Sequence, residues 1–133
     1  MIRTRELRDG YRTEFGNGRL LGIGDMPVDK GGQGAGFRPH ELLEAALATC
    51  LSMTVRIAAG KYGYPLEEVV VSVTVERGDP AAIRMDYSLE LHGNLTPEQR
   101  ERLERAAANC PVGQTLAAAP RLRKRQGQTP APA

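Results

Sequence analysis

The segment that most constrains the fold is a long, mainly apolar run between Pro39 and Pro65. Proline is favoured at the first position of a helix, and Gly63 followed by Pro65 ends one, so the run predicts a helix over residues 39–62. Apolar residues recur at helical spacing along one face, at Leu43, Ala46, Leu47, Cys50, Met53, Thr54 and Ile57. The opposite side is also apolar, at Leu42, Ala45, Leu51, Val55 and Ala58. Such a helix should be buried on nearly all sides.

The length of the chain limits how that helix can be covered. With 133 residues, the sequence predicts one domain over residues 1–120. A helix of roughly 36 Å, apolar all round, is hard to cover with so short a chain. We therefore expect a homodimer in which two chains share a core.

The other elements follow from turn residues and alternation. Residues 1–24 predict three short strands (Ile2 to Arg8, Tyr11 to Phe15 and Arg19 to Ile23), and the glycine-rich residues 25–38 predict a loop. Residues 68–92 alternate between apolar and polar side chains, which predicts a strand pair. Residues 96–118 predict a second helical region, which opens with Thr96, Pro97 and Gln99 as a capping box.

Charge and hydropathy restrict the class of protein. Arg121, Arg123, Lys124 and Arg125 supply four of the 18 basic residues, so the rest of the chain has 14 basic against 16 acidic residues. This balance disfavours nucleic-acid binding, and the tail over residues 121–133 is predicted to be a solvated, flexible terminus. The charged N-terminus and the expectation that no run is apolar enough to span a bilayer predict a cytoplasmic protein without a membrane partner.

Two cysteines, Cys50 and Cys110, lie 60 positions apart, which matches neither a CxxC motif nor a zinc pattern. His40 and His92 lack ligand spacing, so no metal or other cofactor is expected. Cys50 is either a packed core residue or a thiolate activated by a cation from another segment, because it lies too far along its helix for the dipole to act. Cys110 either caps a short helix that begins at Pro111 or ends the apolar face before it.

The block PHELLEAALATC, which ends at Cys50, and the later block CPVGQTL, which begins at Cys110, resemble the OsmC/Ohr family of thiol-dependent hydroperoxide reductases. The resemblance extends from Arg8 to Leu116 with the elements in the same order. It implies an α+β fold with antiparallel sheets packed around a long buried helix. It also implies an intertwined homodimer whose active sites lie at the subunit interface.

The resemblance further implies the chemistry. Cys50 would be the peroxidatic cysteine that reduces an organic hydroperoxide, and Cys110 would be the resolving cysteine that forms a disulfide with it. An external dithiol, on a lipoylated or thioredoxin-like protein, would then reduce the disulfide.

Catalytic partners of the thiolate are assigned by the same resemblance. Arg8, in an R-x-G turn, matches the arginine of Ohr-type members, whereas Lys30 occupies the place of the OsmC-type arginine. The family glutamate follows the proline, where this chain has His40, and Glu41 comes one residue later. Arg38 is a further cation beside Pro39. Cys50, Cys110, Glu41 and Arg8 are thus the predicted catalytic residues.

His40 and Lys30 differ from the glutamate and the arginine that the family has at these places, and this difference indicates an alternative function. In that interpretation the chain is a non-catalytic dimer that binds a small apolar ligand at the pocket where Cys50 and Cys110 are expected to meet.

Overall fold

The structure is a computed structural model that describes residues 1–126. Three short strands come first, followed by a single 3-10 turn over Val28–Lys30 and a long helix. A strand pair and two further helices complete the chain. The elements are β1 Arg3–Glu6, β2 Thr13–Gly16, β3 Leu21–Gly24, α1 Pro39–Tyr62, β4 Leu66–Glu76, β5 Arg84–Gly93, α2 Pro97–Ala107 and α3 Pro111–Ala117.

The bounds of α1 are those predicted from the sequence. Pro39 occupies the first helical turn, where its missing N–H has no partner to lose. The carboxylate of Glu41 accepts the Arg38 N–H at 2.8 Å, which satisfies one unpaired amide at the start of the helix. Gly63 ends the helix in a left-handed conformation with φ of 66°, a backbone angle that costs glycine little.

The predicted strand pair is confirmed as an antiparallel hairpin. Val69 pairs with Leu91, and Val73 with Tyr87. The half-buried valines of β4 alternate with exposed residues, so one face of the hairpin packs against α1. The carboxylate of Glu44 in α1 accepts the N–H of Val75 at 2.9 Å and attaches the end of β4 to the helix.

The core lies between α1, the hairpin and α2. Its buried residues are Leu47, Leu51, Val55, Ala59, Leu66, Leu91, Leu103, Ala107 and Cys110. The four from α1 recur every four residues, so they form one stripe along that helix. One of the two cysteines is therefore part of the core itself.

The other side of α1 is not covered by this chain, in line with the expectation that a chain of this length cannot cover the helix alone, and its burial in a homodimer stays a prediction. Leu43 is 45%, Met53 63% and Ile57 71% exposed. The physical reason is that β4, β5, α2 and α3 all pack on the side of α1 that carries Leu47 and Leu51. A stripe of apolar side chains is left open along the helix.

By length and composition α1 is apolar enough to cross a membrane, contrary to the expectation that no run of this chain is. A core helix of a water-soluble protein passes the same test, and Leu47, Leu51 and Val55 are packed in the core here.

The N-terminal strands form a separate antiparallel sheet in the order β1-β2-β3, as predicted, with each strand shorter than expected. After β3 the glycine-rich loop returns to that strand, where the Phe37 N–H donates to the Ile23 carbonyl at 2.9 Å. The loop is held by Asp25, which is 3% exposed and accepts backbone N–H groups of Met26, Gln33 and Ala35. One carboxylate thus organises the segment that leads into α1.

Asp25 also predicts a pH-dependent contribution to stability. The Ala35 amide above all, together with those of Met26 and Gln33, lowers the pKa of Asp25 below its usual value of 3.8. This stabilisation is complete above the unfolded pKa and is lost as the pH falls through the lower folded pKa. We expect Asp25→Asn to lower Tm by about 5 °C at pH 7, because the amide group cannot accept from all three donors.

The control for Asp25→Asn is Asp29→Asn, a change of an exposed aspartate in the same loop. Thermal unfolding of the two variants and the parent chain from pH 7 to pH 3 measures the difference. The Asp25 difference should shrink below about pH 4. A difference that stays constant down to pH 3 would contradict this origin.

The predicted second helical region is two helices, because the chain leaves α2 after Ala107 and starts again at Pro111. The capping box is confirmed: Thr96 accepts the Gln99 N–H at 3.2 Å, and Gln99 accepts the Thr96 N–H at 3.0 Å. Residues 121–126 have no regular structure, and the rest of the predicted tail, 127–133, lies outside the described residues.

Candidate active site

The two cysteine sulfurs meet at the start of α3. Cys110 is the N-cap of this helix, and its Sγ accepts the Gly113 N–H at 3.3 Å, which is one of the two alternatives that the sequence left open; Cys110 is also part of the core. Val112 immediately precedes Gly113, and its N–H donates to Cys50 Sγ, on α1, at 3.4 Å. Two thiols 60 positions apart in sequence are therefore held on consecutive amides.

The environments of the two thiols differ. Burial raises the pKa of Cys110, the Gly113 amide opposes this, and the neighbouring Cys50 thiol adds to the increase. Cys110 is 1% exposed, whereas Cys50 is half-buried. Cys110 is therefore a protonated thiol at neutral pH, and Cys50 is the sulfur that a solute can reach.

Gly113 is a position where a small change should disturb this pair. A Cβ added there would lie 2.9 Å from Cys110 Sγ, which is too close, so the sulfur would have to move. We expect Gly113→Ala to slow formation of a Cys50–Cys110 disulfide by about tenfold, because disulfides require a narrow geometry. Alkylation and mass spectrometry after timed exposure to diamide measure that rate.

Gly78→Ala is the matched control, since a Cβ at Gly78 meets no atom within 4 Å. Its disulfide should form at the parental rate. Equal rates for Gly113→Ala and Gly78→Ala would show that Cys110 Sγ tolerates the crowding.

The two predicted partners of Cys50 lie elsewhere. Arg8 is exposed in the turn after β1, with φ of 60°. Glu41 precedes Cys50 by nine residues of helix, roughly 13 Å along the axis. Within residues 1–126, neither forms a hydrogen bond or ion pair with Cys50. Arg8 and Glu41 therefore stay predicted catalytic residues, and a second chain would be needed to bring such residues near Cys50.

Glu41 is instead paired with Arg38. The Arg38 Nε donates to Glu41 at 3.1 Å, and the Arg38 backbone amide and then its guanidinium hold the pKa of Glu41 below its usual value. An arginine–glutamate pair is thus preformed at the start of α1. Lys30 ends the 3-10 turn of the glycine-rich loop, and His40 lies in the first turn of α1.

A cavity of about 550 Å³ opens beside Cys110, between α1, the hairpin and α3. Its walls are mainly apolar and include Leu47, Met85 and Leu116. Three basic residues, His40, Arg77 and Arg84, also line it, and within residues 1–126 no carboxylate does. Of the two cysteines, both of which lie in the described residues, Cys110 lines the cavity and Cys50 does not.

Sequence reasoning missed the amide donors to the two sulfurs. The C-P-V block indicated a cap at Cys110, since proline after a polar residue starts a helix, but the Val112 amide reaches Cys50 only through the packing of α3 on α1. A pocket at the two thiols was expected from the resemblance, but its walls were not identified, because they come from α1, β4, β5, α2 and α3. In the described residues, no group of three or more His, Cys, Asp or Glu side chains has the arrangement of a metal site.

Comparison with known proteins places the chain among proteins of this architecture. The OsmC-like protein of Mycoplasma pneumoniae has a TM-score of 0.74 at 20% identity, with 88% of this chain and 86% of that chain covered. The organic hydroperoxide resistance protein OsmC of Legionella pneumophila has a TM-score of 0.63 at 24% identity, with 87% of each chain covered. OhrB of Bacillus subtilis, an organic hydroperoxide resistance protein, has a TM-score of 0.60 at 21% identity, with 86% of this chain and 87% of that chain covered.

At these identities the structural likeness shows the fold, an α+β arrangement with antiparallel sheets, as predicted. A search of curated proteins finds no match to the chain. The family assignment comes from sequence, since a profile described as OsmC-like protein matches residues 31–123. That range contains both cysteines and every element from α1 to α3, and the chain belongs to the OsmC-like protein family.

Proposed function

We propose that the chain is a cysteine-based peroxidase that reduces organic hydroperoxides in the cytoplasm, as a defence against oxidative stress. The observation that carries the proposal is the contact between a reachable thiol, Cys50, and a buried thiol, Cys110, at the start of α3. Structures of the same fold include proteins named for organic hydroperoxide resistance.

The reaction begins at Cys50. Its thiolate attacks the terminal oxygen of ROOH, the O–O bond breaks, and the products are a sulfenic acid and an alkoxide that takes a proton to become ROH. The Val112 N–H donates to Cys50 Sγ at 3.4 Å and holds this sulfur beside the start of α3. This step oxidises sulfur by two electrons and reduces the peroxide.

The second step uses Cys110. The Cys110 thiol gives up its proton, which passes to the leaving hydroxyl, and its sulfur attacks the sulfenic sulfur, so that an S–S bond forms, the S–O bond breaks and water leaves. The Gly113 N–H stabilises Cys110 sulfur as its proton is lost. An external dithiol, on a lipoylated or thioredoxin-like protein, then restores both thiols and becomes a disulfide itself.

A homodimer is part of the proposal. The open stripe that contains Leu43, Met53 and Ile57 is apolar along α1, and burying it against a second copy removes it from water. A second copy would also supply the charged partners of Cys50 that one chain does not bring near it. Arg8 and Glu41 are the proposed partners, in an intertwined dimer with its active sites at the interface.

The wild-type chain tests the proposal directly. Fully reduced protein should consume cumene hydroperoxide in the presence of a dithiol and form one disulfide per chain when the dithiol is omitted. If no peroxide is consumed and both thiols persist, the peroxidase assignment is wrong.

A second candidate function is supported by the cavity beside Cys110. Its apolar walls and volume of about 550 Å³ suit a small apolar ligand, in a dimer that does not catalyse a reaction. The same assay separates the two functions, because this candidate requires inert thiols. Titration showing that Cys50 does not react below about pH 8.5, the usual cysteine pKa, would favour it.

A further inference from the structure

The segment that follows α3 has a concentrated positive charge for which the peroxidase proposal has no use. Residues 118–126 contain four basic residues and no Asp or Glu. The basic residues are Arg121, Arg123, Lys124 and Arg125, and all four are exposed. Within residues 1–126 none of the four forms a hydrogen bond or an ion pair. Cations that have no partner in their own chain are available to an anionic surface.

Exposed apolar side chains accompany this charge. Leu122 lies between two of the arginines and is 100% exposed. Arg121 follows Ala117, a lining residue of the cavity beside Cys110, by four residues, which span at most about 14 Å of extended chain. Ile83, another lining residue of that cavity, is 63% exposed. The basic segment is therefore attached close to an apolar rim.

We propose that residues 121–125, with the apolar rim beside them, bind the surface of an anionic lipid bilayer. The basic side chains pair with headgroup phosphates, and Leu122 enters the boundary between headgroups and acyl chains. The attachment is peripheral, since α1 stays packed in the core. It uses neither cysteine and so does not depend on the proposed peroxidase function.

The sequence led us to expect no membrane partner because a spanning segment was sought. Peripheral binding requires only cations and a small apolar surface, and both are present after α3. Apolar solutes concentrate in a bilayer. Peripheral attachment through this segment places the cavity next to the phase that holds such solutes.

The composition of the segment favours a bilayer over a nucleic acid. Sites for single-stranded nucleic acid combine cations with aromatic side chains on which bases stack, and residues 118–126 contain no aromatic residue. An exposed leucine among cations gains nothing from a phosphate backbone. At a bilayer the same leucine is removed from water.

Vesicle sedimentation with the full chain tests the proposal. The chain is mixed with vesicles of phosphatidylcholine alone or of phosphatidylcholine and phosphatidylglycerol in equal parts, and the bound fraction is measured after centrifugation. We expect binding to the anionic vesicles only. Raising the salt from about 0.05 M to about 0.5 M should weaken it by roughly tenfold or more, because salt screens the attraction. Equal binding to both kinds of vesicle, or to neither, would overturn the proposal.

Variants locate the binding surface. Each basic side chain near an anionic bilayer contributes roughly fivefold to binding, so Arg123→Gln/Lys124→Gln should weaken binding by about 25-fold. The matched control is Arg5→Gln/Arg19→Gln, which removes the same charge from exposed positions in the N-terminal sheet and its turn. The control should bind like the parent chain. Equal affinities of the two double variants would overturn the proposal.

Two further measurements test the nature of the surface. Leu122→Ser should weaken binding to the anionic vesicles by about threefold, because less apolar area leaves water. A DNA duplex at the same salt should bind more weakly than these vesicles. Tighter binding to the duplex would assign the segment to nucleic acids, and a parental affinity of Leu122→Ser would rule out entry of the leucine into the bilayer; either result would overturn the proposal.

Discussion

Cys50→Ser is expected to abolish peroxide consumption, and it is the change with the largest predicted effect. A serine hydroxyl is not ionised near neutral pH and does not attack the O–O bond, so the first step has no nucleophile. The serine is nearly isosteric and keeps a group that can accept the Val112 N–H, so the fold around α3 should persist. Peroxide disappearance, followed with excess dithiol, should fall to the rate without protein.

Cys110→Ser is the matched variant, because it removes the other thiol of the same pair. When the dithiol is omitted, it should consume about one equivalent of peroxide per chain and then stop without forming a disulfide, since the sulfenic acid at Cys50 has no thiol to condense with. Mass spectrometry should find sulfenic acid on Cys50, and sulfinic acid at higher peroxide.

The pair of variants separates the two roles. Steady turnover by Cys50→Ser together with inactivity of Cys110→Ser would show that Cys110 is the peroxidatic cysteine and Cys50 the resolving one. If the parent chain and both variants are equally inert, the thiols are core residues and the binding function of the cavity is favoured.

A charge placed in the open stripe of α1 is expected to convert a dimer into 14.4 kDa monomers. Ile57 is 71% exposed in the single chain, and in the proposed homodimer its side chain is buried against the second copy. Ile57→Arg would bury an unpaired guanidinium there, which costs far more than the contact it replaces. Sedimentation equilibrium of Ile57→Arg and of the parent chain measures the mass.

Leu122→Arg controls for the added charge, because Leu122 is fully exposed in the segment after α3. It should remain dimeric. The monomeric Ile57→Arg variant should also lose most of its peroxidase activity if Arg8 and Glu41 act across the interface. A parent chain that is itself monomeric, or an Ile57→Arg variant that stays dimeric, would contradict the placement of the interface on this stripe.

Much of the local structure was predictable because it depends on neighbouring residues. Pro39 and Gly63 set the bounds of α1 through backbone constraints that act within one turn. The capping box at Thr96 involves residues three apart. The alternation of Val69 to Val75 predicted a strand because side chains on a strand alternate between its faces.

The arrangement of the site required long-range contacts. The same C-P-V-G residues predict a cap at Cys110, yet the Val112 amide reaches Cys50 only because α3 packs on α1. The periodicity of α1 could not tell which of its apolar faces this chain would cover, since both faces have helical spacing. Leu47 and Leu51 are covered and Met53 and Ile57 are not, because β4, β5 and α2 reach one side alone.

The sequence by itself determined the strands, the bounds of α1, the capping box at Thr96 and the family, since these depend on residue order and local backbone preference. Tertiary structure decided that the two sulfurs meet, that burial leaves Cys110 a protonated thiol, and that a cavity opens beside Cys110. The physical reason is that burial, a raised pKa and a cavity are properties of atoms brought together from distant parts of the chain, and local sequence does not specify those distances.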